Sequence, residues 1–305
     1  MKTRDKTVAA LAAIAVLASA AFTLADGSLH FPSRTLFHFR EWRHAQEWKD
    51  RSLWLPDYRA TLDALAIEGV DGNLSGLTWN GDTKTLFAVV NRPARIVELS
   101  TGGETLRMID LFGFDDPEAL EYIGDGRFIV ADERVQRLVS VDIGPETREI
   151  RAEGLQRLAI GQGAGGNKGL EGLAWDPVNG KLYVAKERAP VRIYEITGFP
   201  HDPNMTLDIE VTGNRTRDDR LFVSDISGLY FNRQYRHLLA LSHESRLVIE
   251  VDESGCPISS LSLAGGQGLS QSIPQAEGIA MDDRNNLYVV SEPNLFYVFR
   301  KKTGE

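Results

Sequence analysis

The sequence LEGLAW occupies residues 170–175, and four related six-residue phrases occur elsewhere in the chain. They are LSGLTW at 74–79, PEALEY at 117–122, ISGLYF at 226–231 and AEGIAM at 276–281. Successive phrases begin 43, 53, 56 and 50 residues apart. A repeat of about fifty residues, built from short strand-like runs, is typical of β-propellers and related arrays, because each repeat forms one small sheet.

Each phrase is followed by a polar turn and by further strand-like runs. The second runs cover 86–90, 127–131, 182–186, 238–242 and 287–291. The third runs cover 95–99, 137–141, 192–196, 247–251 and 295–299. Fourth runs follow in the first four repeats, near 105–112, 148–160, 206–212 and 258–264. The turns between the runs are rich in Asn, Asp and Gly, as hairpins require, so each repeat predicts an antiparallel blade of four strands.

The fourth strand of the last blade is predicted from residues 60–67, which precede the first phrase. An N-terminal strand in the last blade closes the ring and removes the free sheet edges that invite aggregation. The sequence therefore predicts an all-β fold, a five-bladed β-propeller over residues 58–301. Six blades are the alternative, with a degenerate repeat inside 119–170 or 173–226.

An apolar run at residues 7–25 contains no charged residue and follows Lys2, Arg4 and Lys6. Such a run is long enough to span a bilayer, and its basic flank favours the cytoplasmic side. We therefore predict that residues 1–27 form a signal anchor, a transmembrane helix of a single-pass protein of the cell inner membrane, with the propeller in the periplasm. A cleaved signal peptide is the alternative, with small residues at 18–20 as its cleavage site.

Residues 28–57 mix aromatic and charged side chains without strand-like alternation, and they are predicted to be a juxtamembrane linker. A short helix at the membrane surface would place Trp42, Trp48 and Trp54 at the interface that tryptophan favours. A stalk that packs loosely against the propeller is the alternative.

The composition limits the partners of the protein. Its single cysteine, Cys256, excludes an intrachain disulfide and a cysteine metal cluster. The formal net charge is −9, and because residues 1–6 contribute +2, the rest of the chain carries −11. A surface so acidic disfavours nucleic acids and anionic lipids and favours cations.

Polar residues occupy two equivalent positions in every repeat. The second residues of the phrases are Ser75, Glu118, Glu171, Ser227 and Glu277, and the residues that follow the second strands are Asn91, Glu133, Glu187, Glu244 and Glu292. The two residues of one repeat are 15 to 17 positions apart, which is the reach of a hairpin whose ends meet. We therefore expect seven carboxylates to converge on one mouth of the ring.

Seven carboxylates in one place repel each other unless they are protonated, paired with bases or bound to a cation. Bases that flank the second set neutralise part of this charge: Arg92, Arg134, Lys186, Arg188 and Arg246. The remaining charge favours Ca²⁺, which takes about six to eight oxygen ligands in flexible geometry. Further oxygens are available from Asp115, Asp116 and Asp225. The alternative is that the glutamates only cap strands, by accepting backbone amide hydrogen bonds from the next blade.

The other positions of the phrases are predicted to serve packing. A Gly or Ala at the third position lets backbones approach closely around the axis. By alternation, the fourth and sixth positions face between blades. The sixth residues are therefore interpreted as inter-blade core rather than as a ligand site: Trp79, Tyr122, Trp175, Phe231 and Met281.

The phrases, in their order along the chain, resemble the YjiK/CarP family of SdiA-regulated proteins over roughly residues 57–300, together with the N-terminal apolar segment. One departure is Ala119, where the family pattern has Gly. The resemblance implies an exported, inner-membrane-associated β-propeller linked to calcium, and it carries no catalytic activity. The architecture is also similar to phytase-like and strictosidine-synthase-like propellers, but a shared fold does not confer their chemistry.

Three functions are compatible with the sequence. The first is a calcium-linked binding or regulatory propeller whose mouth takes a small molecule or a protein. The second is a calcium-dependent hydrolase of phosphoesters or lactones, with metal-activated water as the nucleophile. The third is an interaction scaffold with a purely structural metal. Binding is favoured over hydrolysis because the sequence contains no nucleophile elbow, paired-His zinc motif or substrate-clamping motif; His243 is the only histidine expected at the mouth.

Overall fold

The computed structural model describes residues 31–161, 169–188 and 190–302. The chain divides into two compact units, Met1–Glu47 and Trp48–Glu305. The predicted membrane anchor at residues 1–27 lies outside the described residues. Within the described ranges, no helix is both long enough and apolar enough to cross a membrane.

The N-terminal unit contains helix α1 (Phe31–Arg43), which is followed by the short helix α2 (Ala45–Trp48). Helix α1 leaves Leu36, Phe39 and Trp42 exposed. Residues three apart lie on neighbouring parts of a helix surface, so these side chains form one apolar stripe. A helix in the predicted linker is therefore confirmed, whereas its location at a membrane surface stays a prediction.

The second unit is a ring of five sheets, numbered as blades 1 to 5 in chain order of their inner strands. Blade 1 contains β2 (Leu74–Asn80), β3 (Thr85–Asn91), β4 (Ala94–Leu99) and β5 (Thr105–Phe112). Blade 2 contains β6 (Pro117–Gly124), β7 (Arg127–Asp132), β8 (Arg137–Asp142) and β10 (Arg157–Ala159). Blade 3 contains β11 (Leu170–Asp176), β12 (Lys181–Lys186), β13 (Arg192–Thr197) and β14 (Glu210–Gly213). Blade 4 contains β15 (Gly228–Asn232), β16 (His237–Ser242), β17 (Leu247–Val251) and β18 (Pro257–Ser262). Two further short helices lie in the second unit, η1 (Leu55–Asp57) and α3 (Arg215–Asp218).

Blade 5 combines the two ends of the propeller sequence. It contains β19 (Gln275–Met281), β20 (Leu287–Glu292), β21 (Leu295–Lys301) and the N-terminal strand β1 (Tyr58–Ala66). Strand β1 pairs antiparallel with β21, from Tyr58 opposite Lys301 to Ala66 opposite Leu295. The predicted five blades and the closing N-terminal strand are therefore confirmed, and the six-bladed alternative is wrong.

The region predicted as the fourth strand of blade 2, 148–160, forms two strands instead of one. Strand β9 (Glu149–Arg151) pairs parallel with β5 and extends blade 1 to five strands, whereas β10 completes blade 2. Gly154 separates the two strands with a φ of +80°, a conformation that glycine adopts without steric cost. The chain therefore bridges blades 1 and 2 at their outer edge.

The residues that enter the propeller are fastened to blade 4. Glu250 is fully buried and accepts hydrogen bonds from the Leu53 amide at 2.9 Å and the Trp54 amide at 3.2 Å. Ser259 and His237 also bond to this carboxylate, at 2.6 and 2.8 Å. Trp54 is only 4 % exposed, so the prediction that it lies at a membrane surface is wrong.

Four of the five inner strands contain a register shift near the start of the phrase, at its second position in β6, β11 and β19 and at its third position, Gly76, in β2. The shifts lie between Ser75 and Leu77, Pro117 and Ala119, Leu170 and Gly172, and Ala276 and Gly278. A β-bulge leaves one residue outside the ladder and re-aims its side chain. In β6, β11 and β19 the residue left outside the ladder is the glutamate of the phrase.

The third position of the phrase is small because neighbouring inner strands touch there. A Cβ atom on Gly278 would lie 2.6 Å from Val290 Cγ2 and 2.7 Å from the Leu77 amide nitrogen. A Cβ atom on Gly76 would lie 2.7 Å from Ala119 Cα in the next blade. The predicted packing role of this position is confirmed, because backbone atoms cannot move away as a flexible side chain can.

Replacing Gly278 with alanine is expected to lower the free energy of unfolding by about 1–2 kcal/mol, because the added methyl group overpacks the ring axis. Gly213→Ala is the matched control, since nothing lies within 4 Å of a Cβ atom at Gly213. Urea denaturation of both variants measures the difference. Equal midpoints for the two variants would contradict the close approach of blades 5 and 1.

The fourth and sixth positions pack between blades, as predicted. Leu77 of blade 1 belongs to a buried cluster with Tyr288 and Val290 of blade 5. Leu120 of blade 2 packs with Phe87 and Val89 of blade 1 in the same way. Four of the sixth-position side chains join these and equivalent clusters: Trp79, Tyr122, Trp175 and Met281. Burial of these apolar side chains between blades stabilises the ring.

Candidate metal centre

The three phrase glutamates lie at the end of the ring where the inner strands begin. Glu171 and Glu277 both line the narrow space at the centre of the ring, whose volume is about 10 Å³. The Glu118 carboxylate is close enough to raise the pKa of both Glu171 and Glu277. Carboxylates from blades 2, 3 and 5 therefore face one another across the axis.

Glu118 belongs to a second acidic group at the same mouth. One carboxylate oxygen of each of Asp116, Glu118 and Glu133 lies within 4.8 Å of the others. Asp116 is paired with Arg134 at 3.0 Å and with Arg92 at 3.5 Å. Two of the flanking arginines thus form ion pairs with Asp116, and Arg134 also acts to lower the pKa of Glu133, whereas within the described residues neither arginine forms an ion pair with Glu118.

Burial makes the charged forms of these glutamates unfavourable. Burial is the main cause that raises the pKa of Glu171, to about 10, and neighbouring Glu187 and Glu277 add to it. Burial likewise raises the pKa of Glu277 to about 8 and that of Glu118 to about 7. The pKa values of Glu133 and Glu187 are also raised, again mainly by burial. Without a cation, the mouth therefore retains protons at neutral pH.

The remaining predicted ligands lie further out. Arg188 forms an ion pair with Glu187 at 2.8 Å and another with Glu244. Glu292 is half-buried at the end of β20, and in the part of the chain that the structure describes it forms no ion pair. Its charge still raises the pKa of Glu277. The seven glutamates thus share one mouth, but Glu244 is engaged by Arg188 rather than directed at the other carboxylates.

His243 and Asp225 form a pair beside Glu277. His243 Nδ1 lies 2.9 Å from Asp225 Oδ2 and 3.8 Å from Glu277 Oε1. The contact with Asp225 raises the pKa of His243. Burial acts to raise the pKa of Asp225, but the close contact with His243 and the hydrogen bond from Ser242 outweigh it, and the pKa is lowered. The sequence pointed to both residues separately but contained no signal that they pair.

The two serines of the phrases behave differently from the glutamates. Ser75 Oγ donates to the Glu118 carbonyl oxygen at 2.7 Å, and Ser227 Oγ donates to the Ala276 carbonyl oxygen at 2.7 Å. Each bond links the start of one inner strand to the next blade. Serine at this position therefore fastens neighbouring blades, a role that an ionised carboxylate cannot perform because it has no donor.

Within the described residues, two buried polar atoms at this mouth form no hydrogen bond, Asn91 Oδ1 and His243 Nδ1. Asn91 Nδ2 donates to Glu118 Oε1 at 2.7 Å, and within the described residues Asn91 Oδ1 accepts no hydrogen bond. A buried acceptor without a donor costs free energy, and a bound cation would remove that cost. Carboxylate oxygens together with an amide oxygen are the ligands that Ca²⁺ prefers. The residues present therefore fit a calcium ion.

Solved structures that match the chain include two enzymes. A luciferin-regenerating enzyme matches with a TM-score of 0.50 and 14 % identity, over 79 % of this chain and 94 % of that one. A gluconolactonase from Xanthomonas campestris matches with a TM-score of 0.49 and 14 % identity, over 80 % of this chain and 90 % of that one. The match to the luciferin-regenerating enzyme indicates a shared fold and, at 14 % identity, nothing about activity.

The family model described as SdiA-regulated matches residues 50–300, which include every inner strand of the propeller. The chain therefore belongs to the SdiA-regulated family.

Proposed function

We propose that this protein is a membrane-anchored periplasmic β-propeller that binds Ca²⁺ at its carboxylate mouth and acts as a binding or regulatory protein. The observation that supports it best is the unpartnered, buried Asn91 Oδ1 beside Glu118, a carboxyl group whose pKa is raised. Both features describe a mouth whose stable charge state requires either protons or a cation.

The ion would be held by Glu118, Glu171 and Glu277 together with Asn91, with Glu133 next to Glu118. The ion supplies positive charge in place of the protons that the metal-free mouth retains. The fold determines where the carboxylate ligands lie, because a bulge leaves each phrase glutamate outside its ladder. Arg92 and Arg134 neutralise Asp116.

Binding is favoured over transport or catalysis through the ring. The centre of the ring has a volume of only about 10 Å³, which leaves room for no more than a single water molecule. A partner would therefore dock on the mouth rather than pass through it. Ca²⁺ binding ionises the glutamates of the mouth and so changes the charge of the surface on which such a partner docks. This change in charge is the basis for a regulatory role.

Isothermal titration of the purified full-length protein with CaCl₂ tests the metal proposal. We expect saturable binding with release of protons, since carboxyl groups with a raised pKa must ionise to bind. Mg²⁺ should bind more weakly, because it demands octahedral geometry and retains its waters. Absence of a binding heat at pH 7 and at pH 8, with no change in melting temperature, would rule out the calcium site.

Asn91→Ala is expected to weaken Ca²⁺ binding roughly tenfold, which corresponds to about 1.4 kcal/mol, because one amide oxygen is lost. Asn204→Ala is the control, because Asn204 lies in an exposed loop that is distant in sequence from Asn91. Titration calorimetry of both variants gives the ratio of dissociation constants. An unchanged constant in Asn91→Ala would remove the main support for the site.

The membrane anchoring rests on the uncharged run at residues 7–25. We expect the protein to remain in inner membranes after carbonate washing and to be digested by protease added to spheroplasts. Deleting residues 1–27 behind a cleavable secretion signal should release it as a periplasmic protein. Protection from protease in spheroplasts would contradict the periplasmic orientation.

One observation favours a second candidate, a calcium-dependent hydrolase of phosphoesters or lactones. His243 and Asp225 are arranged as an acid–base pair within reach of Glu277. Turnover of simple lactones or phosphomonoesters that requires Ca²⁺ and is lost in His243→Gln would establish this candidate. Turnover that persists in His243→Gln would rule out His243 as the acid–base group, and no turnover at all would leave binding as the function.

A further inference from the structure

A second cavity lies at the opposite end of the ring from the carboxylate mouth. Its volume is about 390 Å³, and all five sixth-position residues of the phrases line it. The second and sixth positions are separated by four residues of strand, which is about 13 Å. The volume falls within the range of about 300–1,000 Å³ that is typical of small-molecule sites.

The wall of this cavity combines aromatic faces with groups that donate and accept hydrogen bonds. Trp79 and Trp175 are half-buried, so part of each indole borders the cavity. Polar side chains of three different types lie around them: Glu121, Asn232, Arg233, Gln234 and Asn285. The cavity can therefore satisfy a ligand that has both apolar faces and many polar groups.

Two of the polar groups have no hydrogen-bond partner among the described residues. Across the residues that the structure describes, neither the guanidinium of Arg233 nor the hydroxyl of Tyr230 forms a hydrogen bond. Glu121, by contrast, is held in place by the Thr78 hydroxyl at 2.9 Å and the Trp175 amide at 3.0 Å. The cavity thus has a fixed carboxyl group together with a free donor and a free hydroxyl.

The charges around the cavity disfavour two classes of ligand. Anions are disfavoured by the acidic groups Asp82, Asp282 and Asp283. Cations are disfavoured because Arg233 is positively charged. They are also disfavoured because the acidic groups already form ion pairs or hydrogen bonds within the protein. Asp283 pairs with Lys84 at 2.5 Å, and Asp282 accepts bonds from Asn286 at 2.7 Å and Tyr288 at 2.9 Å. Burial also raises the pKa of Glu121, to about 8.

We propose that this cavity binds a neutral saccharide, with sugar rings against Trp79 and Trp175 and hydroxyl groups bonded to Arg233, Tyr230 and Glu121. The C–H faces of a sugar ring are apolar and pack on aromatic rings, whereas its hydroxyl groups both donate and accept. The site is separate from the carboxylate mouth and does not depend on calcium.

Tryptophan fluorescence of the full-length protein in EDTA tests the proposal, because two of the five tryptophans line the cavity. The probes are four neutral disaccharides: cellobiose, maltose, lactose and diacetylchitobiose. We expect at least one to change the emission saturably, with a dissociation constant of about 1 mM. Spermidine and gluconate serve as the cationic and anionic probes.

Trp175→Leu and Arg233→Ala should each weaken binding of the active disaccharide at least tenfold. The matched controls are Trp42→Leu, on the exposed face of α1, and Arg157→Ala, on the exposed strand β10; both should bind as the wild type does. The proposal is overturned if none of the four sugars binds at about 10 mM. It is equally overturned if only spermidine or gluconate binds, or if the controls lose as much affinity as the cavity variants.

Discussion

Calcium is expected to raise the melting temperature of the wild-type protein by about 5–10 °C, and Glu171→Gln is expected to abolish most of that rise. A ligand at one hundred times its dissociation constant stabilises the native state by about 2.7 kcal/mol. In a domain of this size, each kcal/mol corresponds to about 2–4 °C. Glu171 is the ligand to remove because it lies at the centre of the ring, where the carboxylates of other blades meet it.

The same substitution is expected to change little without calcium. The pKa of Glu171 is about 10 in the metal-free protein, so the group is protonated at pH 7. Glutamine has the same shape and charge as a protonated glutamate, and the melting temperature in EDTA should therefore stay within about 1–2 °C of the wild type. The substitution therefore removes only the rise in melting temperature that calcium causes.

Glu153→Gln is the matched control, because Glu153 is exposed on the connection between β9 and β10. Differential scanning calorimetry of the wild type and both variants, in EDTA and in excess CaCl₂, provides the six melting temperatures needed. If Glu171→Gln lowers both temperatures equally, Glu171 serves only packing. If it retains the full calcium increment, the ion is bound elsewhere.

The sequence was sufficient for the fold because the propeller is periodic. Strands with alternating side-chain faces recur about every fifty residues. Residues 60–67 matched the missing strand of the last repeat, as the pairing of β1 with β21 confirms. The split of 148–160 into β9 and β10 was not predictable, because strands of three residues have too little alternation to be recognised.

The site was predictable as a set of positions but not as a set of contacts. Equivalent positions of a ring must meet, so the placement of Glu118, Glu171 and Glu277 at one end followed from the repeat. The bulges that expose these glutamates leave no pattern in the sequence, since they depend on the pairing of two strands. Nor could spacing alone reveal which charges pair, as with Arg188 and Glu244.

The cavity at the other end was missed for a different reason. Four of its sixth-position residues were correctly predicted to pack between blades, and a side chain that packs against the core on one edge can still be exposed to the cavity on the other. Trp79 both packs on the core and borders the cavity. Burial of part of a large aromatic ring does not exclude a binding role for the rest.

The stability of the calcium-free protein is expected to fall as the pH rises from about 5 to about 8. A carboxyl group with a raised native pKa binds more protons in the folded state than in the unfolded state, so unfolding becomes easier as the pH increases. The ordinary pKa of a glutamate side chain is 4.5, and the native values are about 7 for Glu118 and about 8 for Glu277. For each group, the decline in the free energy of unfolding begins near the ordinary glutamate pKa and ends near the group's native pKa.

The slope is at most about 1.4 kcal/mol per pH unit for each group that titrates in this window. The groups that face Glu277 and set its titration are His243, Glu118 and Glu292. Those that face Glu171 are Glu187, Glu277, Glu118 and Glu133. Urea denaturation in EDTA at several pH values between 5 and 8 measures the decline.

Calcium should flatten or reverse this dependence, because a bound cation favours the ionised carboxylates that the metal-free mouth rejects. At pH 8 the gain from calcium should therefore exceed the gain at pH 5.5, where protons already occupy the same groups. A gain that is equal at both pH values would mean that calcium does not compete with protons at the phrase glutamates. In that case the raised pKa values would reflect burial alone, and the mouth would be a neutral, hydrogen-bonded ring rather than a metal centre.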